Sequence, residues 1–308
     1  MKLRQAYSIA IVIGVLFGAA ATAARARIFE SDQSVLRAQY VEKVLIFRNC
    51  YRMIDKLEVL EDGTVKGKAQ PGYWAVDGAF QVKTLTFGND RVSLTGIKLW
   101  TDIQKDGVLH YFPASAALNG KGDYPSGLEV IFRTGVEVET AAQFTARVDR
   151  IFFNEQETKL DSAPAPIARY IRNEAVKVDI DPASGTGFKG TPPKPVSTPQ
   201  PYLSHEASLV GQTGTENFIV LVDEQGRGSV DGFTNVLQYG LEEATMEAVK
   251  KWKFQPATLN GKPVPLRIAM NIKYRSAPNP WITGGMPEGY FPRDGVGGLP
   301  ACSSCGRR

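Results

Sequence analysis

Histidine is nearly missing from this sequence: His110 and His205 are the only two in 308 residues. Cysteine is almost as scarce, with Cys50, Cys302 and Cys305. Metal sites draw heavily on these two residue types, so no metal is expected. Three thiols in a chain this long do not build a disulfide framework either. No block of Lys and Arg stands out and the net charge is only +4, so no nucleic-acid partner is expected. Gly-x-Ser-x-Gly, His-Glu-x-x-His, phosphate-loop and Gly-x-Gly-x-x-Gly patterns do not occur with the context their chemistry needs. The chain therefore reads as a non-enzyme with no catalytic residue and no cofactor, the alternative being an envelope enzyme carried by its N-terminal module. What is present is ordinary globular material, 43% hydrophobic and 22% charged, long enough for two domains.

The N-terminus carries Lys2 and Arg4, an apolar run from Ala6 to Phe17, then a small-residue tract ending in Ala21-Thr22-Ala23 and Ala24-Arg25-Ala26. Charged head, apolar middle and A-x-A tail define a secretory signal peptide over 1–26. The alternative is an uncleaved anchor, since about twenty residues between Arg4 and Arg25 just suffice to span a bilayer. The Ala- and Gly-rich second half makes a poor span. Either way the rest of the chain is exported.

Residues 27–154 read as a β-rich module of unknown function, closed by a helix. Phe80-Gln81-Val82, Leu85-Thr86-Phe87, Val92-Ser93-Leu94 and Ile97-Lys98-Leu99 alternate at period two. Short connections predict antiparallel pairing. Glu61-Asp62-Gly63 is a hairpin signal, and Val136-Glu137-Val138 is a further strand candidate. Thr140 to Phe153 switches to helical spacing through Phe144, Val148, Ile151 and Phe152. Gly72-Tyr73-Trp74 reads as core or edge packing. A Pro-rich linker occupies 155–200, with an element possible over Ile167–Val178 and an extended stretch from Asp181 to Gln200. The last part, 276–308, is rich in Gly and Pro and reads as a disordered tail. Its Cys302-x-x-Cys305 pair lacks the helix that lowers a thiol pKa in redox folds, and is read as a disulfide, internal or with Cys50.

Between linker and tail lies the most specific pattern, over 201–275. Leu241, Ala244, Thr245, Ala248, Val249 and Trp252 form one stripe of a helix running Leu241–Trp252. Glu242, Glu243 and Glu247 lie early and Lys250, Lys251 and Lys253 late, which suits the helix dipole. Strands are predicted over Thr215–Val222, Arg227–Val236 and Pro265–Tyr274, with Asp223-Glu224-Gln225-Gly226 turning between the first two. Asp223 and Glu224 are turn formers. In the last strand Leu266, Ile268, Met270, Ile272 and Tyr274 alternate with Arg267, Ala269, Asn271 and Lys273, giving one apolar and one polar face.

This order of residues resembles the TonB C-terminal domain family. The resemblance rests on Leu241, Ala244, Ala248, Trp252, Phe254 and Pro256, which follow the family's helix and its Trp-x-Phe-x-Pro-Ala exit, and on Ala207, Gly214 and the Asp-x-x-Gly turn. Glu242 stands where the family usually has Asp. Leu203-Ser204 stands where Tyr-Pro is usual, and Phe233 lies where small or polar residues are common. The resemblance implies an α+β chain ending in a three-stranded antiparallel sheet with a helix, facing the periplasm. It also implies that the strand Arg267–Tyr274 binds an outer-membrane receptor or other envelope protein by strand addition, with Arg267, Asn271 and Lys273 facing solvent. An inner-membrane proton-channel complex becomes a partner only if the N-terminus is an uncleaved anchor. Intact-mass measurement of the exported protein is expected to place its first residue near Ala26, whereas retention of Lys2–Phe17 would mean an anchored chain.

Overall fold

The computed structural model describes residues 28–67, 70–119, 124–135, 139–153, 159–180 and 188–275. The leader, Val136–Val138 and the tail with Cys302 and Cys305 lie outside the described residues. In chain order the first part runs α1 (Glu30–Tyr40), β1 (Val44–Ile46), β2 (Lys56–Val59), α2 (Trp74–Asp77), β3 (Ala79–Phe87), β4 (Arg91–Asp102), β5 (His110–Pro113), α3 (Ala114–Leu118), β6 (Gly127–Arg133) and α4 (Ala141–Ile151). A 3-10 turn at Lys159–Ser162 and α5 (Ala165–Ile171) follow. The second part holds β7 (Lys194–Ser197), α6 (His205–Val210), β8 (Gly214–Val222), β9 (Gly228–Asn235), α7 (Leu241–Val249), β10 (Lys253–Gln255), β11 (Ala257–Leu259), β12 (Lys262–Val264) and β13 (Leu266–Tyr274). The class is α+β with a β-rich first module.

The first sheet has the order β1-β3-β4-β6-β2, with β5 also on β4. Its pairings are antiparallel except β2 with β6, which is parallel. The argument from short connections fails for that pair because β3, β4 and β5 lie between the two strands, room enough for a crossover. Where the alternation suggests four short strands, two long ones form. A bulge between Val82 and Thr84 shifts the phase of β3, so Phe80 and Val82 face the core before it and Leu85 after it. Gly96 lies opposite the bulge, where a Cβ would come within 1.9 Å of the Gln81 carbonyl oxygen. Helices α1 and α4 cover this face, burying Leu36, Tyr40, Phe144 and Val148 against Phe80, Leu94 and Phe132. A capping box of Thr140 and Gln143 starts α4.

The second part is a sheet of order β13-β8-β9, antiparallel throughout. Between β13 and β8 the register is unbroken from Leu266↔Val222 to Tyr274↔Gly214. Leu241, Ala244, Thr245, Ala248, Val249 and Trp252 are all buried, as the stripe predicts. The helix itself stops at Val249, short of Trp252, because Trp252 N–H bonds back to the Val249 carbonyl in a tight turn and β10 begins at Lys253. The Trp252 indole N–H then donates to the Pro199 carbonyl at 2.9 Å. Phe233 is buried in β9 with its ring 6.3 Å from that of Phe218.

The Pro-rich stretch lies along this second part. Helix α5 packs against β9, Thr191 exchanges backbone hydrogen bonds with Thr258, and β7 pairs with β10. One buried cluster therefore joins Trp74, Trp100, Ile167 and Ile171 to Phe218, Leu241 and Trp252.

Gly226 shows why the turn and the helix exit belong to one pattern. It has φ +77°, and a Cβ there would lie 2.0 Å from the Phe254 carbonyl oxygen. The Phe254 N–H donates to the Gly226 carbonyl at 2.8 Å. Gly226→Ala meets both the left-handed penalty and a backbone clash, and is expected to destabilise by about 2–4 kcal/mol in urea unfolding.

Candidate functional site

A three-stranded sheet has two edges, and they are treated differently here. Along β9 the Arg169 guanidinium from α5 donates to the Asp231 carbonyl at 2.8 Å, and Lys105 from the loop after β4 donates to the Thr234 carbonyl at 3.2 Å. With α5 packed beside it, this edge is closed to a further strand. Along β13 only the beginning is engaged. Arg267 N–H donates to the Asp179 carboxylate at 2.9 Å, while its carbonyl accepts from the N–H groups of Asp179 (3.0 Å) and Ile180 (3.2 Å). Ile180 forms a parallel bridge with Ile268. By the period of two, the backbone groups of Asn271 and Lys273 point to the same outer side as those of Arg267. Among the described residues they have no partner there, and both side chains are exposed.

The apolar face of β13 is Leu266, Ile268, Ile272 and Tyr274, all buried, with Met270 half-buried. Ala269 is half-buried on the other face. Arg267, expected to face solvent, is half-exposed and bonds through Nε to Asp231 at 2.6 Å, which also pairs with Arg169. Three elements, α5, β9 and β13, thus share one carboxylate. Those two guanidinium groups hold the Asp231 carboxyl below the usual range despite the opposing effect of burial.

Behind the sheet, α7 presents carboxylates to the interior. Glu243 accepts hydrogen bonds from the N–H groups of Trp74 and Ala75, the first turn of α2 in the other module. Glu242 accepts from Leu237 N–H (3.0 Å) and Gln238 N–H (2.6 Å). Thr245 bridges Glu216 of β8 to the Tyr274 hydroxyl, so the far end of β13 is tied to the helix. Burial, reinforced by the neighbouring Glu242, pushes the Glu243 and Glu216 carboxyls well up, and burial also raises Glu242.

Gln238, Tyr239 and Gly240 have φ values of 76°, 60° and 80°, three left-handed residues in succession. Two of them carry side chains, and the surroundings hold them. The Gln238 side-chain amide accepts from Ile103 N–H and donates to the Ile103 carbonyl, each at 2.9 Å. Tyr239 sets its ring 5.5 Å from that of Trp100, and its carbonyl accepts from the Ser204 hydroxyl at 2.6 Å. Ser204 also caps α6, so the segment without the family's Tyr-Pro docks through a serine.

A cleft of about 390 Å³ opens at the same junction, lined by residues that include Cys50, Tyr51, Trp74, Ser162 and Glu243. Among the described residues Cys50 has no disulfide partner, and burial with the charges of Glu243 and Asp77 pushes its thiol pKa upward, away from a nucleophile. His110 pairs with Asp106 at 2.6 Å on the surface. Asp223 accepts from the N–H groups of Gln225 and Arg227, as a turn former does. Among the described residues no group of three or more His, Cys, Asp or Glu is placed to hold a metal. No described helix is long and apolar enough to cross a membrane.

Sequence reasoning located β13 but missed Asp179, Asp231 and Arg169, because their contacts join segments far apart in the chain. It also assigned Glu242 and Glu243 to the helix dipole, whereas both are buried. The available signal was an acidic pair directly after Leu241, at the start of a stripe that is otherwise apolar.

Residues 199–276 match the family model described as Gram-negative bacterial TonB protein C-terminal. Among solved structures, the chain is similar to the solution NMR structure of the Pseudomonas aeruginosa TonB CTD at 19% identity, covering 27% of this chain and 85% of that one, with a TM-score of 0.22. No curated protein matches the chain.

The buried carboxyls give the junction a pH dependence of defined sign. Burial and the Glu206 charge push Asp77 up to about 7, while Lys98 and Arg52 pull the other way. A carboxyl raised in the fold binds a proton that the unfolded chain has already released, so stability falls as pH climbs from about 4 through about 7. Glu216 and Glu243 act in the same direction. Unfolding free energy is expected to drop between about pH 4 and about pH 7, and to drop less in Asp77→Asn, the difference being on the order of 3 kcal/mol. Equal slopes for the two proteins would contradict this account.

Proposed function

We propose that this chain is a non-enzymatic, periplasm-facing protein that binds an extended segment of a partner by adding it as a strand beside β13. The observation that carries the reading is the asymmetry of the sheet. Side chains and a helix close the β9 edge, while β13 presents the outward backbone groups of Asn271 and Lys273. An added strand gains main-chain hydrogen bonds with little demand on its sequence. The match of residues 199–276 to the TonB C-terminal model supports an outer-membrane receptor or another envelope protein as the partner.

Energy-coupled transport is the second reading, and the family match is what favours it. It requires residues 1–26 to persist as an anchor through which an inner-membrane proton-channel complex could pull. The docked β7 and the bridge at Thr191 weigh against it, because a stretch held along the second part contributes no reach between membranes. Binding without force transmission is therefore the reading adopted.

Asn271→Pro tests strand addition directly. Its N–H faces outward, so proline removes a docking donor and leaves the ladder to β8 in place. In an NMR titration with a peptide from the periplasmic segment of an outer-membrane receptor, the wild-type resonances of Ala269–Lys273 are expected to move. The variant should bind about tenfold more weakly or worse, the equivalent of one to two net hydrogen bonds. A peptide that bound the folded variant as well as wild type would rule out this edge.

A further inference from the structure

The start of the docking edge is already occupied by the chain itself. Asp179 and Ile180 lie against Arg267 and Ile268 in the parallel sense, with two backbone N–H groups on the Arg267 carbonyl and the Asp179 carboxylate on the Arg267 N–H. This is strand addition in miniature, with a side-chain oxygen standing in for a backbone carbonyl. The contact is braced from behind. Asp231 holds the Arg267 side chain, and Arg169 of α5, ten residues before Asp179, holds Asp231.

We propose that Asp179 and Ile180 are a built-in competitor for the docking strand. Resting on the strand-addition reading, the inference adds its regulation and the length of strand the edge accepts. With the competitor in place, an incoming strand has the window Ala269–Lys273. To pair along the whole of β13 it must displace Asp179 and Ile180 from Arg267. The partner's side chains are specified by the window. On the outer face they lie beside Asn271 and Lys273, which suits an acidic or hydroxyl residue; on the helix side they lie beside Met270 and Ile272, which suits an apolar one. The fitting partner is a short strand alternating acidic and apolar residues.

Asp179→Ala removes the side-chain acceptor from Arg267 without touching the window. The probes are two capped peptides alternating valine and glutamate, one of five residues to match Ala269–Lys273 and one of nine to match β13. Titrated into the full chain and followed by the amide resonances of β13, the nine-residue peptide is expected to bind Asp179→Ala about tenfold more tightly than wild type. The five-residue peptide should bind the two proteins equally. Amide exchange at Arg267 should accelerate in the variant while that at Ile272, bonded within the sheet, does not. Equal affinity of the long peptide for both proteins, or an equal gain for the short one, overturns the competitor. If neither peptide moves β13 in either protein, the strand-addition reading falls, and the competitor with it.

Discussion

The contact between Glu243 and the first N–H groups of α2 organises most of what is described here. A helix N-terminus leaves backbone donors unsatisfied, and at Trp74 and Ala75 they are met by a carboxylate more than 160 residues away in sequence. That bond fixes α7 against the first module, and α7 in turn covers the sheet that carries β13. A buried carboxyl without donors is costly, and so are buried donors without an acceptor. Each side of the junction therefore needs the other. The hydrophobic cluster running from Trp74 through Trp100 and Ile167 to Trp252 packs beside this contact, which borders the cleft at the junction.

The strained run Gln238-Tyr239-Gly240 follows from the same constraint. The chain leaving β9 must reverse within a few residues to start α7 where Glu243 meets α2. Left-handed backbone at side-chain-bearing residues is unfavourable, and the compensation comes from the other module through Ile103 and Trp100 and from the entry segment through Ser204. Glu242 completes the turn by accepting from Leu237 and Gln238. Backbone strain, module contact and helix start form one arrangement.

Local chemistry was legible in the sequence, and long-range contact was not. The alternation of Leu266 to Tyr274 identified the last strand, and the stripe from Leu241 to Trp252 identified the helix, since both are periodic and depend on nearest neighbours. The bulge in β3 hid a long strand by shifting its period at Lys83. Glu242 and Glu243 carry charges that fit an exposed first turn equally well, and only the position of α2 turns them inward. The Pro-rich composition of Asp181–Gln200 predicted extended backbone and could not reveal that β7 lies against β10. Likewise, the open edge was legible as a strand, while its occupied first position depends on Asp179 reaching back across the sheet.

The closure of β9 by Arg169 and Lys105 also sets a valence. A sheet with two open edges can join neighbours on both sides and grow without limit, as fibres do. With β9 capped, a strand added at β13 would find no second edge of this sheet to extend along. Arg169 and Lys105 thus leave this sheet one edge open to an added strand, and open-ended growth is blocked at the other.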